Sequence, residues 1–253
     1  MPVIDREVVL SHDSLNVTAK SLQLRLPVYL RTEPVAYEPG EWEQVRDPAY
    51  QELARAGLLA HGEPAEAIVD TLRLLAYATA EFYGLVATRQ HEYYLHVGGH
   101  GPQAVLAVLA NNRVLLRPVK SDVLVTQLLA ELPEAHPAPG RSMSASHDEL
   151  KPSDGGSIYN NAGPRGDARR LLTLFDKPRI AQGQLNTAIR VGVDNHRITS
   201  NEPVSFLDVD DGRWLSYATN NSGRWHYAAT PGHHDTIASK LTELHQGLLA
   251  ANR

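Results

Sequence analysis

Four short runs rich in β-branched and aromatic residues follow one another between Glu81 and Pro118, and only a few residues separate each from the next. The runs are Glu81 to Thr88, Glu92 to Val97, Ala104 to Ala110 and Val114 to Pro118. Arg89-Gln90, Gly98-Gly99-His100-Gly101 and Asn111-Asn112 lie between them. Breaks of that kind are turn signals, so the segment predicts antiparallel strands. A second set of runs covers Leu185 to Val191, Val204 to Val209, Arg213 to Ala218 and Arg224 to Ala229.

Helices bracket both sets. Ser11 is a suitable N-cap, Asp13 suits the positive end of a first turn, and Leu15, Ala19, Leu22 and Leu26 form a stripe before Pro27. Asp47-Pro48 predicts a helix start with an end at Gly57, and Pro64 predicts another helix with Ile68, Leu72 and Leu75 on one face. A helix is expected over 122–132, a short one over 168–175 and a closing one over 232–249.

Residues 134–168 hold four prolines, five glycines and five serines with no hydrophobic period. They read as a mobile linker over 134–167 between half-repeats 1–133 and 168–253. The halves end alike. Arg113 opens a strand, Pro118 ends it and Asp122 precedes Leu124 and Leu128; Arg224, Pro231, Asp235, Ile237 and Leu241 repeat the order. The expected architecture is therefore a single α+β domain of two quasi-symmetric halves sharing one sheet.

Composition removes several function classes. A net charge of −5 disfavours nucleic acid or an anionic membrane as the main partner. No apolar stretch is long enough to span a bilayer, and Met1 to Glu7 shows no signal-peptide pattern, so a cytosolic location is expected. With no cysteine, disulfides, thiolate zinc sites and cysteine nucleophiles are excluded.

The remaining chemistry-bearing residues lack a frame. Twelve histidines include His96 and His100 around a glycine turn, but no HExxH or related spacing occurs. Asp208-Val209-Asp210-Asp211-Gly212 resembles the start of a calcium loop, yet Thr219 stands where the twelfth-position glutamate belongs. It reads better as a hairpin turn. Ser144, Ser146, His147 and Asp148 lie in the loose segment, where nothing holds a triad in register. No metal, cofactor or catalytic residue is expected.

Aromatic side chains are more suggestive. With turns of three residues at 210–212 and four at 220–223, alternation collects Phe206, Trp214, Trp225 and Tyr227 on one sheet face. Leu207, Val209, Leu215 and Tyr217 take the other face, as core. Large aromatics are what protein-binding surfaces use, and these four are the candidate partner-binding residues.

Arg179 to Gln184, Pro203-Val204, Leu207-Asp208-Val209-Asp210-Asp211-Gly212-Arg213-Trp214, Trp225 and Pro231 resemble the C-terminal half of the EspG family. Leu10-Ser11, Leu26-Pro27, Gly57-Leu58 and Leu132-Pro133 fit its N-terminal half. The resemblance implies a central antiparallel sheet flanked by two helical bundles. It also implies a cytosolic chaperone of type VII (ESX) secretion in actinobacteria, binding the apolar helical tip of a PPE protein within a PE–PPE pair. The competing readings are a metal- or small-ligand-binding enzyme using His96 and His100, and a structural oligomer subunit without a client. Homo-oligomerisation stays open.

Overall fold

The computed structural model describes residues 3–32, 40–151 and 164–252. In the first part, β1 (Val8–Ser11) leads into α1 (His12–Ser21), followed by α2 (Glu41–Arg55), a small hairpin β2 (Leu59–Ala60) and β3 (Glu63–Pro64), and α3 (Glu66–Tyr77). Four strands then run back and forth: β4 (Ala80–Thr88), β5 (Glu92–His100), β6 (Gln103–Ala110) and β7 (Arg113–Lys120). α4 (Leu124–Leu129) closes this part. In the second, β8 (Met143–Ser146) leads into α5 (His147–Leu150) and α6 (Gly166–Asp176). Next come β9 (Ala181–Val191), β10 (His196–Thr199), β11 (Val204–Val209), β12 (Gly212–Asn221), β13 (Arg224–Pro231) and α7 (His234–Ala251).

Among the described residues the large sheet has eleven strands in the order β1-β7-β6-β5-β4-β9-β11-β12-β13-β8, with β10 beside β9. Its strand pairs are antiparallel, and short turns join β4 to β7 and β11 to β13 in succession. The join between the two sets is β4 on β9, paired from Ala80↔Ile189 to Thr88↔Ala181. The expected mixed α/β fold with one large antiparallel sheet is thus present.

Cross-strand partners share a face, so register assigns the layers. One face carries Leu10, Val105, Ala107, Val114 and Leu116, which pack under Leu15, Leu53, Ile68, Leu72 and Leu75 of α1, α2 and α3. Further along that face, Leu207, Val209, Trp214, Met143 and Ala229 pack under Leu171 and Leu174 of α6. The opposite face carries Val86, Leu95, Leu106, Leu185, Phe206 and Leu215 beneath Leu124 and Leu128 of α4 and Ile237 and Leu241 of α7. Burying side chains of this size contributes about 1.5–3 kcal/mol each.

Local chemistry explains where the helices start. Ser11 caps α1 by accepting the Ser14 amide at 3.1 Å, and the Glu52 carboxylate of α2 accepts from the Ser11 and Ser14 hydroxyls at 2.6 Å each. Ser11 and α2 are thereby tied together, and hydrogen bonding holds the Glu52 carboxyl below its usual range in spite of burial. α2 begins at Glu41, ahead of the expected Asp47, and takes Pro48 into its interior.

The segment expected as a linker, 134–167, contains regular structure in its described part. Met143–Ser146 pairs with β13 from Met143↔Ala229 to Ser146↔His226. Ser146 and Glu149 then form a reciprocal capping box that opens α5. Alternation over four residues ending in a cap is a strand-to-helix signal that the surrounding prolines and glycines mask. Residues 152–163 lie outside the described residues. Among the described residues no helix is long and apolar enough to cross a membrane.

Candidate interaction surface

The β11–β12 turn decides where the four aromatic candidates lie. Val209 pairs directly with Gly212, so the turn holds two residues, Asp210 and Asp211, and not three. Phe206 therefore pairs with Leu215, while Trp214 pairs with Leu207 on the other face. The four do not share a face. Phe206 is fully buried, its ring against Gly183 where any Cβ would lie 2.3 Å from a ring carbon, and the Arg213 guanidinium sits 4.6 Å from the ring centroid. Trp214 is only 5% exposed within the α6 core, its indole nitrogen donating to Asp211 at 3.3 Å. Both serve as core.

Trp225 and Tyr227 differ. Ladder partners Asn220 and Ala218 place them on the face of Trp214, and both are half-buried. The Tyr227 ring lies 6.2 Å from that of His147 at the start of α5. Ser216 and Ser205 pair on the same face, and from there it runs across Gln184 to Leu85 of β4. Leu85, Ala87, Gln182, Gln184, Ser205 and Leu207 line a shallow groove of about 260 Å³ in that strip. Gln182 and Gln184 are exposed, and Leu85 and Ser205 are half-buried. An alternation of glutamines with Ala181, Gly183 and Leu185 was the available signal for a strand with one wet face.

His96 and His100 stand in different surroundings. His96 is 1% exposed, faces Tyr83 across the ladder, and neither ring nitrogen has a hydrogen-bond partner. Burial, with Arg197 and Arg190 nearby, depresses its pKa to about 3. Two arginines are the wrong neighbours for a bound cation, and His100 lies exposed at the end of β5. No group of three metal-ligating side chains occurs among the described residues.

Other reactive-looking residues have structural partners. Ser146 is occupied by its capping box. The carboxylates of the calcium-like loop are engaged too: Asp208 with Arg213, and Asp210 and Asp211 with Lys177 at 3.0 and 2.7 Å.

On the same sheet face as the groove, further along β4 and β9, is a feature that sequence reasoning missed. Glu81 is fully buried and meets two arginines, Arg197 at 2.9 Å and Arg190 at 3.4 Å. Burial pushes the Glu81 carboxyl up while both guanidinium groups pull it down. The Arg197 guanidinium lies 4.9 Å from the centroid of the Tyr83 ring, and Tyr29 lies 5.2 Å from Tyr83 and 5.6 Å from Tyr94.

The EspG family model matches residues 11–243. The fold is similar to a solved structure described as the Mycobacterium tuberculosis type VII secretion system chaperone EspG5 in complex with PE25-PPE41 dimer. That similarity has a TM-score of 0.68 at 14% sequence identity, covering 93% of this chain and 94% of the other. No curated protein sequence matches the chain.

Proposed function

The chain belongs to the EspG family, and from that premise we propose that it is a type VII secretion chaperone that binds the apolar helical tip of a PPE protein in a PE–PPE pair. The observation that carries this reading is the family match over residues 11–243, supported by a similar fold in EspG5, which was solved with a PE25-PPE41 dimer. The physics agrees. An exposed apolar helix tip aggregates unless covered, and covering it takes a sheet face with adaptable polar and aromatic groups, not a reactive centre. The function is accordingly binding without catalysis, in the cytoplasm, before export.

The contact surface in this reading is the strip from Leu85 through Gln184 and Ser205 to Tyr227 and Trp225. Trp225 and Tyr227 are partly exposed aromatics at the end of that strip, beyond the part of the face that α6 covers, which suits anchor positions. Phe206 and Trp214 act behind them by holding the strands in place.

The two parts of the chain are read as quasi-symmetric halves, each with its own set of helices. Ser11-His12-Asp13-Ser14-Leu15 and Ser146-His147-Asp148-Glu149-Leu150 both end a strand with a serine cap that opens a helix. From the centre outward, β4-β5-β6-β7-β1 corresponds to β9-β11-β12-β13-β8. Such a duplication gives an unbroken sheet across the middle of the molecule, wide enough to receive a helix pair.

Co-expression tests the function. Producing the host's PE–PPE pair with and without this chain should give soluble pair only in its presence. A pair equally soluble alone, with no complex formed, contradicts the proposal.

A further inference from the structure

Arg190 and Arg197 are direct cross-strand partners on β9 and β10. Like charges placed opposite one another destabilise a sheet unless something neutralises them. Glu81, reaching over from β4, is the one carboxylate within ion-pair distance of either, among the described residues. Two cations thus share one anion, and at least one positive charge is unmatched. His96 beside them is buried with no partner on either ring nitrogen. It neither neutralises the arginines nor satisfies them.

The two arginines are held differently. Arg190 is pinned, donating to the carbonyls of Ala76 at 2.6 Å and Asn195 at 3.2 Å. Arg197 uses its Nε on Glu81, lies against the Tyr83 ring, and keeps 29% of its side chain exposed. It sits on β10, which pairs with β9 alone, so its outer side faces no strand. Tyr77, 46% exposed, flanks Arg190, whose guanidinium lies 5.8 Å from its ring centroid. A half-buried arginine with spare N–H donors beside aromatic rings is an arrangement that binds carboxylates well.

Its location favours a helical client as the occupant. Gln182, Gln184, Asn186 and Arg190 alternate along one face of β9, so the arginines lie on the groove's face of the sheet. From Gln184 to Arg190 the strand rises roughly 20 Å. A helix laid along it spans that distance in about 13 residues.

We propose that Arg197, with Arg190 behind it, receives an acidic side chain of the helical client, about three to four helical turns from the residues that enter the Leu85–Gln184–Ser205 groove. The proposal rests on the chaperone reading above. It adds a charged anchor that sets the direction and register of the client helix, which an apolar contact alone leaves loose.

Calorimetric titration of the chain with the purified recombinant PE–PPE heterodimer, at 50 and 300 mM NaCl, tests it. Arg197→Gln should weaken binding about tenfold at the lower salt and flatten the salt dependence, with Arg197→Lys intermediate. Melting temperatures identify any variant that fails to fold. If the Gln variant does so, the Lys variant and the wild-type salt dependence decide. Folded Arg197→Gln that binds within twofold of wild type overturns the proposal, as does a wild-type affinity insensitive to salt. A changed oligomeric mass for Arg197→Gln with unchanged client affinity also overturns it, and assigns the site to a second copy of this chain. If the wild-type chain binds no client at all, the chaperone reading fails before the arginine is in question.

Discussion

Asp208 and Arg213 face each other across the β11–β12 turn, and each Asp208 carboxylate oxygen accepts a 2.7 Å hydrogen bond from the Arg213 guanidinium. Both are buried, Arg213 at 0% and Asp208 at 3% exposure. Arg213 also anchors the stretch that leads from α4 towards β8. Its side chain donates to the Pro133 carbonyl at 2.6 Å, its amide donates to His136 at 2.8 Å, and its carbonyl accepts from Ala138 at 2.9 Å. The Gly232 amide, just ahead of α7, donates to the same carbonyl at 2.8 Å. The Asp-x-Asp-Asp-Gly-Arg hairpin is therefore a clamp on the connection between the two parts of the chain.

Breaking that clamp should be costly. Arg213→Ala leaves Asp208 buried without its partner, and urea unfolding should show a loss of roughly 3–5 kcal/mol. Replacing both, as Asp208→Leu with Arg213→Met, should cost less than the sum of the two single changes, because no orphaned charge remains. A single-variant loss below about 1 kcal/mol would mean the pair is not desolvated as described.

Acid should weaken the fold through His96. Its folded pKa of about 3 lies below the ordinary histidine value of about 6.5, so the unfolded chain binds a proton that the folded chain refuses. Stability from this group is complete above pH 6.5 and falls as pH drops towards 3, by up to about 1.4 kcal/mol per unit. Between pH 6.5 and 5 the loss is roughly 2 kcal/mol. His245, whose pKa burial also lowers, acts in the same direction, so the His96→Met variant is needed to isolate His96. Denaturation curves of that variant should show a shallower pH dependence over this window, and an identical slope contradicts the assignment.

The two parts should stay together when the chain between them is cut. Pairing of β4 with β9 and packing of α4 against α7 join them independently of the connection. A protease site inserted between Lys151 and Pro164, once cleaved, should give fragments that co-elute at the uncut mass under native conditions. Separation of the fragments would show that the β4–β9 seam is too weak to hold the sheet.

Strands with a clear alternation were legible: β11 begins and ends where Val204 and Val209 indicate, and β4, β6 and β13 lie within a few residues of their sequence limits. Strands with little apolar content were not. Met143–Ser146 and His196–Thr199 carry few apolar residues, and only their neighbours in the sheet define them. Gly98 and Gly99, expected in a turn, lie inside β5, where Leu124 packs closely on the strand.

The site was legible in part for the same reason. A turn one residue shorter than expected moved Phe206 to the other face, because strand side chains alternate with a period of two. Trp225 and Tyr227 kept the face of Trp214, since the second turn changed by an even number of residues. The Glu81–Arg190–Arg197 cluster draws on strands more than 100 positions apart, and no local pattern announces it.

Binding of purified PE–PPE heterodimer to Trp225→Ala, measured by titration calorimetry beside wild type and Trp214→Ala, tests the account most directly. Wild type should bind saturably, and Trp225→Ala should lose roughly 2 kcal/mol or more of binding energy while staying folded, as anchor truncations do. Trp214→Ala should instead lose roughly 3–5 kcal/mol of fold stability, as buried aromatic truncations do. A folded Trp225→Ala that binds its client as tightly as wild type, or a wild-type chain that binds none, would contradict the account.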